Sequence, residues 1–123
     1  MKSEQQERDP QGLDPHTPGA KLDAGKVMAG LMMVDFAHAL TAIAEVTTYG
    51  AEKYTPSGWK KVRDANNRYL DALQRHLLAY YKGENNDPVS GLDHLAHAAW
   101  NILAILEMRT HWKEATSGTK EDI

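Results

Sequence analysis

The stretch Gly91 to Trp112, GLDHLAHAAWNILAILEMRTHW, constrains the fold more than any other feature of this sequence. Leu92, Leu95, Ala99, Leu103 and Leu106 recur at helical spacing, and Ala98, Trp100, Ile102 and Ile105 carry apolar character most of the way round. A helix patterned like that is buried between several neighbours, with the leucine stripe expected to face the core. Within the same stretch His94, His97 and Asn101 recur at i, i+3 and i+7, a second stripe roughly opposite the leucines. Ser90 is the expected N-cap, with Asp93 at the reciprocal position of a capping box, and Asn85 to Pro88 makes the preceding turn.

Two more helical segments are expected. The first runs from about Val34 through Tyr49, or to Lys53 if Gly50 does not break it, with Phe36, Ala39, Leu40, Ile43 and Thr47 on one side and Gly50 as a candidate kink. Thr55-Pro56-Ser57-Gly58 ends it, because proline lacks the backbone donor. The second runs from about Ala65 to Lys82, with Asp64 as N-cap, an apolar stripe of Leu70, Leu73, Leu77 and Tyr81, and Gly83 where a left-handed C-terminal cap belongs. Three helices give the Gly91–Trp112 segment too few neighbours. The expected architecture is therefore all-α, a helical bundle completed by oligomerisation as a dimer or tetramer.

The 123 residues suit one domain, placed at 19–112 between flexible tails at 1–18 and 113–123. Both tails are polar and cannot bury enough surface to offset the entropy of ordering. The net charge of -3 argues against a nucleic-acid polymer or an anionic membrane as partner. The absence of cysteine excludes disulfides and thiolate metal sites, so any metal must use oxygen or imidazole ligands. Apolar runs are broken by Asp35, His38, Asp93, His94 and His97, so no membrane span is expected, and the start carries no apolar signal core. The expectation is a cytoplasmic protein.

Several clusters point to chemistry. His38, Glu45 and Glu52 are spaced by seven residues on the first helix, which is a ligand stripe or an ordinary solvated face. His94, His97 and Asn101 lie in an alanine-rich setting where a merely solvated role is poorly served, and His76 is placed to face the same cavity. Glu84 and Asp87 offer hard oxygen ligands just before the last helix, or simply favour its N-terminus electrostatically. Asp71 and Arg75 suit an i, i+4 pair. Gly19-Ala-Lys-Leu-Asp-Ala-Gly-Lys26 fails as a phosphate loop: its spacing is one residue too long, and Val27 stands where serine or threonine would bind magnesium. Lys21 still suits a ligand-contacting arm. Tyr49 to Tyr54, with Lys53 inside it and Trp59 beyond, suits base stacking and phosphate pairing or a packed turn equally well.

Taken together, GAKLDAGK, YGAEKY with a following tryptophan, RHLLAYYKGE and DPVSGLDHLAHAAWN resemble a phage-encoded family of dATP/dGTP diphosphohydrolases, similar in turn to the MazG-like all-α nucleotide pyrophosphohydrolases. The resemblance spans roughly Gly19 to Leu106. It implies magnesium-dependent hydrolysis of a deoxypurine nucleoside triphosphate to monophosphate and pyrophosphate, in the cytoplasm of a bacterium or a phage-infected host. MazG-like enzymes carry E-x-x-E on one helix and E-x-x-D on the next. Here the first helix has Glu45 and Glu52, and the E-x-x-D is Glu84 to Asp87. The expected metal ligands are Glu45, Glu52, Glu84 and Asp87. His76, His94 and His97 are the expected proton-transfer groups. Lys21, Lys53, Trp59, Arg75 and Asn101 are the expected substrate contacts. Two alternatives stay open: a centre of His76, His94, His97 and Asp87 holding manganese or another transition metal, and a helical binding module without turnover.

Overall fold

The computed structural model describes residues 6–115, with side-chain surroundings through Thr110. They form four α-helices, α1 (Ala29–Asp35), α2 (Ala37–Lys53), α3 (Ala65–Tyr81) and α4 (His94–Ala115), and one 3₁₀ turn, Gly58–Lys61. No strand occurs among the described residues, and no single helix there is long and apolar enough to cross a membrane. A break after Asp35 divides the chain into two units. Residues 1–5 and 116–123, parts of the expected tails, lie outside the described residues.

The first unit is organised by Asp9. Its buried carboxylate accepts backbone N–H bonds from Gln11 at 2.7 Å, Leu13 at 3.4 Å and Lys21 at 2.8 Å. The Lys21 amide holds this carboxyl below its usual range against a smaller opposing effect of burial, and the Gln11, Leu13 and Gly12 amides add to it. Lys21 thus anchors the unit through its main chain.

The second unit holds the core. α4 packs mainly on α3 and to a lesser extent on α2. The expected first helix begins at Ala37, not Val34, because the chain breaks at Phe36; Gly50 does not interrupt it. Val46 is its buried residue, while Phe36, Ala39 and Thr47 of the expected core stripe are exposed. α3 matches its expected span, and Leu73 is the buried member of its stripe; Tyr81 is exposed. Asp64 stands at the N-cap but in left-handed backbone, and its side chain accepts from the Asn67 amide rather than from the helix backbone.

The largest departure concerns α4. Leu95, Leu103 and Leu106 are 43%, 44% and 46% exposed, and Ile102 is 51% exposed. The inner face is built instead from His94, His97, Asn101, Ala98 and Ala104. The leucine stripe expected to face the core therefore faces outward in the single chain. Small side chains on the inner face let α4 approach its neighbours closely, and the imidazoles find polar partners there. The helix also starts three residues later than expected. Asp93 is the cap: its carboxylate accepts the Leu95 N–H at 2.7 Å, and its carbonyl accepts the His97 N–H at 3.1 Å. Ser90 is used elsewhere.

Candidate functional site

The site is assembled by the link between α3 and α4. Gly83, at φ +98, ends α3 in a left-handed cap whose two hydrogen bonds, Gly83 N–H to Tyr80 carbonyl and Glu84 N–H to Ala79 carbonyl, form a Schellman motif. Any Cβ-bearing residue is strained there. This motif turns the chain back so that Glu84 faces the start of α4. The turn is then clipped shut by Asp87 N–H to Leu92 carbonyl at 2.8 Å and His94 N–H to Asn85 carbonyl at 2.9 Å.

Within this frame three histidines meet. His94 Nε2 lies 2.7 Å from Glu84 Oε1, and His94 Nδ1 lies 2.9 Å from His76 Nδ1. The carboxylate can only accept, so His94 Nε2 carries the proton of that contact, and in the contact between the two Nδ1 atoms one ring donates and the other accepts. His97 stacks on His76 with ring centroids 4.4 Å apart and planes 3° apart. Its Nε2 lies 2.7 Å from Ser90 Oγ, and the Tyr49 ring meets it edge-on at 6.2 Å. Asp87 accepts the Ser90 N–H at 2.9 Å. His94 is 3% exposed although it is the middle member of this chain of polar contacts.

The electrostatics favour the neutral forms of His76 and His97. Burial, followed by the neighbouring His97 and His94, pushes His76 down from its ordinary 6.5 to about 4. Burial also lowers His97, partly opposed by Asp87 and reinforced by His94. Burial raises the Asp87 carboxyl, but the Ser90 N–H and hydroxyl together with His97 and His76 outweigh it and hold the group below its usual range.

His76, Asp87 and His94 offer ligand atoms that all lie within 4.8 Å of one another. Two imidazole nitrogens and one carboxylate oxygen suit a divalent transition ion better than magnesium, which prefers oxygen. Glu84 sits on the nitrogen of His94 opposite the one that meets His76.

Glu45 and Glu52 are exposed on α2 and do not belong to the His76–Asp87–His94 group. Lys53 lies over the rings of Tyr49 and Tyr54, at 5.6 and 5.3 Å. Arg75 is exposed beside His76. Asn101 is buried, and its amide donates to the His97 carbonyl at 2.8 Å, one turn back on its own helix, so it braces the helix instead of orienting an imidazole. Trp59 packs against Tyr69 and Trp100, away from the histidines. Tyr49, read from the sequence as part of a stacking segment or packed turn, instead meets His97, and Ser90 joins the cluster as a residue that sequence reasoning missed. Ser90 looks like a helix cap in the sequence, and only the pairing of the turn with His97 reveals its other contact.

The chain matches the family described as "dATP/dGTP diphosphohydrolase, N-terminal" over residues 16–118. It belongs to that family. Within the curated proteins, a "dATP/dGTP diphosphohydrolase" of Salmonella phage PMBT28 is 31% identical to it over 111 residues, covering 84% of this chain and 37% of the relative. The chain thus spans little more than a third of that relative's length. No solved structure matches it. The matched region includes every histidine and carboxylate of the cluster.

Proposed function

We propose that this chain hydrolyses a deoxypurine nucleoside triphosphate to its monophosphate and pyrophosphate at the imidazole–carboxylate cluster, in the cytoplasm of a bacterium or phage-infected cell. The observation that carries the reading is the convergence of His76, Asp87 and His94 inside a region matched to a diphosphohydrolase family. His76, Asp87 and His94 would hold a divalent ion, with manganese or a similar transition metal preferred over magnesium by the donor set. When bound, that ion supplies Lewis acidity toward phosphate oxygens.

The remaining steps fall to side chains. Neutral His97 accepts a proton from the attacking water, whose oxygen forms a bond to the α-phosphorus. The bond from the α-phosphorus to the bridging oxygen breaks, and its electron pair leaves with pyrophosphate. Glu84 fixes the tautomer of His94. Arg75 and Lys53 offset charge on the leaving group.

Incubation of the chain with dATP or dGTP and manganese, followed by separation of products, tests this. Pyrophosphate and monophosphate are expected. The imidazole-rich donor set also favours a second reading, a phosphohydrolase releasing tripolyphosphate and nucleoside, and those products would replace the first reading. The exposed apolar face of α4 favours a third, a helical binding module without turnover. Nucleotide binding without turnover at any metal supports that one. The outward leucine face of α4 is the surface a second copy would cover in a dimer or tetramer.

A further inference from the structure

We propose that the cleft between the 3₁₀ turn, the start of α3 and the C-terminal half of α4 is a second nucleotide site, separate from the imidazole cluster, that takes a free purine nucleotide. Its volume is about 1040 Å³, and Trp59, Tyr69, Ile105 and Met108 supply its apolar surface. That is room for a bicyclic base with its sugar and phosphates. None of the three clustered histidines lines it.

The aromatic wall is held in place before any ligand arrives. The Tyr69 hydroxyl donates to the Trp59 carbonyl at 2.7 Å, which ties the 3₁₀ turn to α3. Trp59 meets Tyr69 at 6.3 Å and Trp100 at 5.5 Å between ring centroids, edge-on in both cases. A ring fixed by two aromatic neighbours loses little freedom when a base stacks on it.

The charge at this cleft runs against that of the chain. Lys60, Lys61 and Arg109 line it against two carboxylates, Asp64 and Glu107, which leaves a net positive cleft on a chain of net charge -3. The Lys60 ammonium lies 5.7 Å from the Trp59 ring centroid, so a cation sits beside the stacking surface. An aromatic wall with adjacent cations recognises a planar base joined to phosphate; an apolar ligand has no use for the cations, and inorganic phosphate none for the rings. The net charge of -3 on the chain disfavours a polyanionic polymer, which leaves a free nucleotide as the occupant. Asn66 also lines the cleft and offers both a donor and an acceptor to a base edge.

The site requires no metal and is independent of the hydrolytic reading. The test is tryptophan fluorescence of the full chain in EDTA, titrated with dGMP and dAMP, with deoxyribose 5-phosphate and a short oligodeoxynucleotide as comparisons. Saturable quenching by the purine nucleotides is expected, with weak response to the sugar phosphate and no tighter binding of the oligonucleotide. Lys61→Glu with Arg109→Glu should weaken nucleotide binding by at least about tenfold, while His94→Ala should leave it unchanged. Circular dichroism checks both variants, and Arg109→Gln alone replaces the double variant if that one is unfolded. Absence of saturable quenching overturns the proposal, and so does tighter oligonucleotide binding. Loss of binding in His94→Ala with retention in the charge variant also overturns it, since the nucleotide then sits at the imidazoles.

Discussion

The first two turns of α4 divide into two halves, each held to the rest of the second unit by different chemistry. Around Trp100 the contacts are aromatic: Trp59 and Tyr69 meet it edge-on at 5.5 and 5.8 Å. One to two turns earlier the contacts are polar: His94 joins Glu84 to His76, and His97 stacks on His76 beside Ser90. Burial alone accounts for the aromatic half, since large rings removed from water stabilise a fold without further help. It does not account for the polar half. Imidazoles buried there are driven toward the neutral form and must be partnered atom by atom, yet outward-facing leucines were available on the same helix. The arrangement makes sense if the polar half is kept for what it binds and the aromatic half for holding it in place.

Substitutions sharpen that contrast. The largest effect is expected from His94→Ala, which removes one ligand and strips both Glu84 and His76 of their partner. Turnover should fall by at least about a thousandfold, measured with dATP or dGTP and manganese. If turnover stays within a few-fold of wild type, the two halves do not differ in function. Next is Trp100→Ala. It should lower stability by about 3 kcal/mol in urea unfolding, with metal affinity of the folded fraction retained. Gly83→Ala follows, at about 1 kcal/mol, and it should weaken metal binding as well, because the left-handed cap positions Glu84. A purely local stability effect there would separate the cap from the site.

The smallest effect is on pH dependence. His76 has its proton affinity lowered on folding to about 4, from an ordinary 6.5. Between those values the unfolded chain holds more protons than the folded one, so stability rises with pH across the window and is lost as pH falls. Urea midpoints of the metal-free chain should drop from pH 7 to pH 5, and His76→Gln should flatten that change. An unchanged slope in the variant would show that His76 is as solvated as in a free peptide.

Much of this fold was legible in the residues. The span of α3, the end of α2, the cap at Gly83 and the meeting of His76 with His94 and His97 follow from helical spacing and turn chemistry, whereas α1 and the break at Phe36 do not. Nor does the orientation of α4. Periodicity shows that two stripes lie on opposite faces but not which one faces in. Leucines are the usual inner face, and here alanine with imidazole takes that place because the α3–α4 link supplies polar partners. Those partners were hidden for a different reason. The reach of Glu84 to His94 and of Ser90 to His97 depends on the Schellman cap, the clipped turn and Asp93 as the cap of α4, none of which is periodic. The stripe of Glu45 and Glu52 on α2 touches the cluster through Tyr49, which lies between them and meets His97 edge-on, while both carboxylates are exposed and outside the His76–Asp87–His94 group.

The most direct measurement is a cobalt titration of the full chain, followed by its visible absorption and by calorimetry. One ion per chain is expected, with imidazole-type bands that are lost in His76→Ala and His94→Ala and retained in Glu45→Ala. Uptake that is indifferent to both histidines but abolished by Glu45→Ala would contradict the account.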